Sequence, residues 1–188
     1  MNINIGGTKS WGKVDLKYRA HWEVMDIAGK PLIRYDINSN KPFPMSNDSV
    51  DNYYSSMTLE HINPQILPYF LKELYRTLKP KGKVRIVVPD IKIALRRYKQ
   101  GEVSGGVYKP PYYPDTPLGL LMACFYTPAK GGRNGHCTVF DWETLVCVFA
   151  KAGFKQIERK IYQQGSEVFK GLDFERYEHH GIFMEAVK

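Results

Sequence analysis

Residues 83–90, KVRIVVPD, limit the fold more than any other stretch of this chain. The run is β-branched and closed by a proline, so it reads as the best strand in the sequence. Asp90 behind it has the character of a helix N-cap, opening a helix through about Gln100. Ahead of it, Asn63 caps a second helix and Pro64 suits the first helical position. Leu67, Leu71, Leu74 and Leu78 then fall on one apolar stripe. KPKG at 79–82 is expected to stop that helix, with Gly82 as its left-handed terminator.

Strand and helix alternate through most of the chain. NINI (2–5) forms a first strand running into Gly6 and Gly7, and WEVMDI (22–27) a second. LIRYDI (32–37) reads as a third strand and DNYYSS (51–56) as a fourth. Only AGKP separates the second strand from the third, too little for a crossover helix. If those two are parallel neighbours, their connection is shorter than the usual βαβ minimum. A short helix is expected near 117–126. Trp142, Leu145, Val146 and Phe149 mark another, ended by KAGF, and strands near 155–162 and 181–187 close the chain. This is the pattern of one α/β domain over residues 1–188, its sheet covered on both faces.

Composition narrows the partners. No apolar stretch approaches the ~18 residues a membrane span needs, and no basic region followed by an apolar core opens the chain. Cys124, Cys137 and Cys147 have no zinc-site spacing and read as reduced thiols of a cytoplasmic protein, with no metal implied. The formal net charge is +8, with Lys79, Lys81, Lys83 and Arg85 crowded together and Arg96, Arg97 and Lys99 following. Such a balance suits an anionic partner, nucleic acid included. A solvated helical face is the favoured account, since no nucleic-acid-binding motif accompanies the charge.

The motifs also follow a familiar order. INIGG, WEVMDI, RYDI, PFPMSNDSVDNYYSSMTLEHI, LKELYRTLKPKGKVRIVVPD and LVCVFAKAGF together resemble a class I S-adenosylmethionine-dependent methyltransferase of the short, type 11-like bacterial group. The resemblance implies a Rossmann-like, doubly wound sheet of seven mostly parallel strands, the last antiparallel, with helices on both faces. It also implies S-adenosylmethionine lying across the carboxyl ends of the first strands. On that basis Gly6 and Gly7 line the turn against the cofactor, Asp26 accepts from the ribose hydroxyls, and Asp36, with the Ile37 backbone, meets the adenine. Ser55 and Ser56 would sit under the sulfonium and carboxylate. Thr8 stands where the family usually carries a second glycine, an altered loop rather than a lost one. The resemblance begins almost at residue 1, so no lid helix is expected ahead of the first strand.

For catalysis the resemblance offers His61, in LEHI, and His136, after GGRNG, either with a suitable unperturbed pKa for taking a proton. Glu60 is expected to pair with a neighbouring lysine. Residues 101–135, rich in Gly, Pro and Tyr, are expected to form an inserted lid or acceptor-binding segment carrying Tyr108, Tyr112, Tyr113, Phe125 and Tyr126. The expected activity is methyl transfer to an O or N atom of a small-molecule acceptor. The competing reading is a non-catalytic subunit of the same fold, supporting a partner protein or binding nucleic acid through its basic face.

Overall fold

A computed structural model describes residues 1–7, 12–103, 115–127 and 135–188. The expectation for Thr8 lies outside them, as do those for Tyr108, Tyr112 and Tyr113. Seven strands form one sheet: β1 (Asn2–Ile5), β2 (Trp22–Asp26), β3 (Ile33–Arg34), β4 (Val50–Ser56), β5 (Leu78–Pro89), β6 (Lys155–Lys160) and β7 (Gly181–Val187). The helices are α1 (Leu16–Arg19), α2 (Leu67–Thr77), α3 (Ile91–Lys99), α4 (Pro117–Phe125) and α5 (Trp142–Ala152). Single 3-10 turns lie at Leu59–His61, Glu167–Phe169 and Glu175–Tyr177.

The strand order is β3-β2-β1-β4-β5-β7-β6. The pairs from β3 to β5 are parallel, and β7 runs antiparallel to both of its neighbours. The chain leaves β1 toward β2 on one side and reaches β4 on the other. Their shared carboxyl edge is therefore the topological switch point, where open α/β sheets bind ligands.

The link from β2 to β3 is indeed short, yet the two pair in parallel. The third strand is correspondingly brief: it covers Ile33–Arg34 rather than 32–37. Tyr35 still donates its N–H to the Asp26 carbonyl at 3.1 Å, and at Asp36 the chain turns back on itself.

Two helix boundaries differ from the sequence expectation. Asn63 does cap a turn, its side chain accepting from Gln65 N at 2.9 Å, but the regular helix begins only at Leu67. At the other end Leu78 passes directly into extended backbone, and KPKG is an excursion within β5. Leu78 pairs with Val50 and Lys83 with Asn52, so residues 79–82 loop out of the ladder. The left-handed residue is Lys81 (φ 65°), not Gly82. Glycine is required at 82 by contact instead, because a Cβ there would sit 2.7 Å from Leu78 Cγ and 2.8 Å from the Asp51 carbonyl oxygen.

The sheet alternates with period two. Along β5, Val84, Ile86 and Val88 enter a core with α2 (Phe70, Leu71, Leu74) and α5 (Leu145, Phe149). Arg85 and Val87 face the other way, where α1 and residues 161–177 cover the sheet around Trp22, Tyr54 and Phe183. Arg85 is thus no part of a basic surface; it is 1% exposed.

Candidate functional site

At the carboxyl edge, Gly6 and Gly7 turn the chain with φ of 74° and 81°, a region that favours glycine. Gly6 N donates to the Met25 carbonyl at 2.8 Å, pinning the turn against β2. A Cβ on Gly6 would stand 2.3 Å from Thr58 Oγ1, so the backbone passes close over the end of β4. Thr58 itself donates to the Ile5 carbonyl at 3.2 Å.

Asp26 ends β2 in a buried position, and its Oδ1 accepts from Ala28 N at 3.1 Å. Asp36 is exposed, its Oδ1 accepting from Asn38 N at 2.9 Å, while Ile37 packs against the larger core. Ser55 Oγ is buried, 3.4 Å from the Ile5 carbonyl. Among the described residues Ser56 Oγ and Ser39 Oγ are buried with no hydrogen-bond partner, an arrangement uncommon in native proteins and one that a polar ligand along this edge would relieve. Left-handed glycines, a buried carboxylate at the end of β2 and these two orphaned hydroxyls fit a polar nucleoside ligand at the switch point.

The structure brings His136 to Glu60 and His61, some 75 residues earlier in the chain. Glu60 and His61 occupy the 3-10 turn just beyond β4. The Glu60 carbonyl accepts from Cys137 N at 2.7 Å and Thr138 N at 3.1 Å, and Thr138 Oγ1 donates to the Ile62 carbonyl at 2.7 Å. These bonds lay residues 136–138 alongside the turn, and His136 meets His61 edge to face with ring centroids 4.9 Å apart. One ligating atom from each of Glu60, His61 and His136 lies within 4.8 Å of the others.

Among the described residues Glu60 has no lysine partner. It is 2% exposed, its Oε2 has no hydrogen-bond partner among them, and burial pushes its carboxyl up to about 8. His136 Nδ1 stands 3.1 Å from the Cys124 carbonyl at the end of α4. A carbonyl can only accept, so the proton sits on Nδ1 and Nε2 carries the lone pair. Burial, with the neighbouring His61, lowers the His136 pKa. That keeps the ring neutral over a wider range of pH.

Asn38 was not legible as a site residue. Its Nδ2 donates to the His61 carbonyl at 3.0 Å and its Oδ1 accepts from Asn63 N at 2.7 Å, tying the turn after β3 to the histidine pair. Glu60 could have been suspected, as a carboxylate in a short turn between an apolar strand and an apolar helix. Of residues 101–135, the described α4 packs against α3 and ends beside His136, with Phe125 and Tyr126 exposed at that end.

Residues 18–86 match the family model described as a methyltransferase domain. The comparison with curated proteins returned no match. Among solved structures, a SAM-dependent methyltransferase from Archaeoglobus fulgidus is 14% identical, with a TM-score of 0.59 over 100% of this chain and 85% of that one. One from Mesorhizobium loti is 15% identical, with a TM-score of 0.58 over 100% of this chain and 90% of that one. Phosphoethanolamine N-methyltransferase 2 of Haemonchus contortus, in complex with S-adenosyl-L-methionine, is 16% identical, with a TM-score of 0.54 over 100% of this chain and 48% of that one. At such identities the likeness speaks for the fold. The segment matched by the methyltransferase-domain model and the likeness of the fold together make this chain similar to S-adenosylmethionine-dependent methyltransferases.

Proposed function

We propose that this protein moves the methyl group to an O or N atom of a small-molecule acceptor held beside His61 and His136. The observation that carries the reading is the convergence of the two imidazoles beyond the end of β4, next to the edge where the cofactor lies in this fold. The cofactor supplies an activated methyl group, so the protein's task is alignment, exclusion of water and handling of the acceptor proton.

Gly6 and Gly7 let the backbone approach the cofactor, Asp26 accepts from its ribose hydroxyls, and Asp36 with the Ile37 backbone meets its adenine. Ser55 and Ser56 sit beneath the reacting end. His136, with Nδ1 committed to the Cys124 carbonyl, offers Nε2 to the acceptor proton. His61, packed edge to face against His136, orients the acceptor beside that nitrogen. The described part of 101–135 supports an acceptor-side segment, because α4 delivers the carbonyl that sets the His136 tautomer. Among the described residues no helix is long and apolar enough to cross a membrane, and a cytoplasmic enzyme acting on a small molecule is the reading we favour over a nucleic-acid binder.

Calorimetric titration with S-adenosylhomocysteine tests the cofactor half. Asp26→Ala should weaken binding by about 1.5–3 kcal/mol, the range for hydrogen bonds to a charged group. Wild-type protein that binds no S-adenosylhomocysteine, or an Asp26→Ala variant that is folded and unimpaired, would overturn the assignment.

A further inference from the structure

We propose that Glu60, His61 and His136 form a binding site for a divalent transition-metal ion of the Zn²⁺ class. Two imidazoles and one carboxylate are a donor set suited to such ions, and three protein ligands leave coordination positions open for an outside oxygen. The ligating atoms already lie within 4.8 Å of one another across a gap of some 75 residues in sequence. Bonds of about 2.1 Å to a tetrahedral ion would put them roughly 3.4 Å apart, so closure needs side-chain shifts of about an ångström and no change of fold.

Two further observations point to a ligand. Glu60 Oε2 is buried and has no hydrogen-bond partner among the described residues. Burying a carboxyl in that way is costly unless a cation or donor meets it. The other is the bond from His136 Nδ1–H to the Cys124 carbonyl. Metal-bound histidines characteristically anchor their second nitrogen on a carbonyl or carboxylate, which fixes the ring and directs the free lone pair at the ion. The backbone is held as well, since Cys137 N and Thr138 N both bond to the Glu60 carbonyl. Cation binding itself does not depend on the transfer reaction. Its use does rest on that reading: an ion here would bind the acceptor oxygen and lower its pKa, so that its proton would pass to water instead of to Nε2.

The test is titration of untagged, chelator-stripped protein with Co²⁺, followed by visible absorption of the bound ion, and with Zn²⁺ by competition. One equivalent should bind to wild type. Glu60→Gln and His136→Ala should each weaken it by about tenfold or more, since even loss of a supporting hydrogen bond costs that much at metal sites. His179→Ala, which removes an exposed histidine elsewhere, should leave stoichiometry and affinity unchanged. Absence of stoichiometric binding in wild type overturns the proposal. Binding that survives both Glu60→Gln and His136→Ala does so too, and either folded variant alone is decisive. S-adenosylhomocysteine titration of the same wild-type sample reports separately on the transfer reading: metal bound without cofactor would sink that reading and leave the cation site standing.

Discussion

The two faces of the sheet are held by different physics. On one, α2 and α5 lay leucine and phenylalanine side chains against the β-branched residues of β1, β5 and β7. On the other, α1 and the irregular segment 161–177 close around a charged group. Arg85 Nε and Nη2 donate to Asp173 at 2.9 and 2.5 Å, and Nη1 donates to Glu185 at 2.7 Å. Its remaining donors reach the carbonyls of Gln164 and Ile161 at 2.8 and 3.1 Å. Asp173 in turn accepts from Gln163 N, and Glu185 from Ser166 N and Oγ. Helices satisfy their own backbone, whereas an irregular covering does not. The guanidinium supplies donors to loop carbonyls that would otherwise be buried without partners.

The largest expected effect follows from that difference. Burial opposes the charge on Arg85, and the Asp173 hydrogen bonds and the two carboxylates more than restore it, so its pKa is raised. Arg85→Met should destabilise by about 3–5 kcal/mol, because it leaves two carboxylates buried beside unmatched carbonyls. Adding Asp173→Asn and Glu185→Gln should recover part of the loss by removing the stranded charge. Urea unfolding of the three proteins makes the comparison. A cost below about 1 kcal/mol for the single variant would show that this face does not depend on the network.

A smaller, pH-dependent effect is expected at the rim of the helical face. Glu73, buried on α2, takes Arg76 Nε and Nη2 at 2.8 and 2.6 Å and Phe43 N at 2.8 Å. The Arg76 hydrogen bonds hold its carboxyl below the ordinary carboxylate range. A depressed folded-state pKa adds stability above the unfolded value and loses it as pH falls through the folded one. Glu73→Gln should therefore cost about 1.5–3 kcal/mol near pH 7, and the gap from wild type should narrow below about pH 4. Parallel melts across pH 3–7 would show it. A gap that stays constant would assign the effect to packing rather than to charge.

The same contrast explains what could be read from the sequence. On the helical face, Leu67, Leu71 and Leu74 repeat with helical period and Val84, Ile86 and Val88 with strand period, and both signals survive folding intact. The mostly parallel sheet with its antiparallel last strand was implied by the resemblance that the motif order carries, whereas the strand order itself came from the structure. On the other face, Arg85 looked like one more member of a basic cluster, because nothing local announces a partner 88 residues away at Asp173. Gly82 was read through its conformation when contact with Leu78 and Asp51 is what demands it. In the site, His61 and His136 were legible one at a time. Their meeting depends on backbone bonds from Cys137 and Thr138 to Glu60, which no side-chain pattern encodes.

The smallest effect isolates the comparison on adjacent residues of one strand. Ile86 follows Arg85 on β5, points to the opposite face and is fully buried among apolar neighbours. Removing one methylene group should cost about 0.5–1.5 kcal/mol in Ile86→Val, the lost transfer energy plus a small cavity that the surrounding aliphatic side chains can partly fill. Arg85→Met also keeps an apolar stem, yet should cost several times more, because carboxylates and carbonyls cannot relax into a cavity as methyl groups do. The two sites share no partner, so the double variant should lose close to the sum of the two costs, within about 0.5 kcal/mol. A non-additive pair would mean that strain from the charged face passes through β5 into the helical core, and that the two faces are energetically one unit.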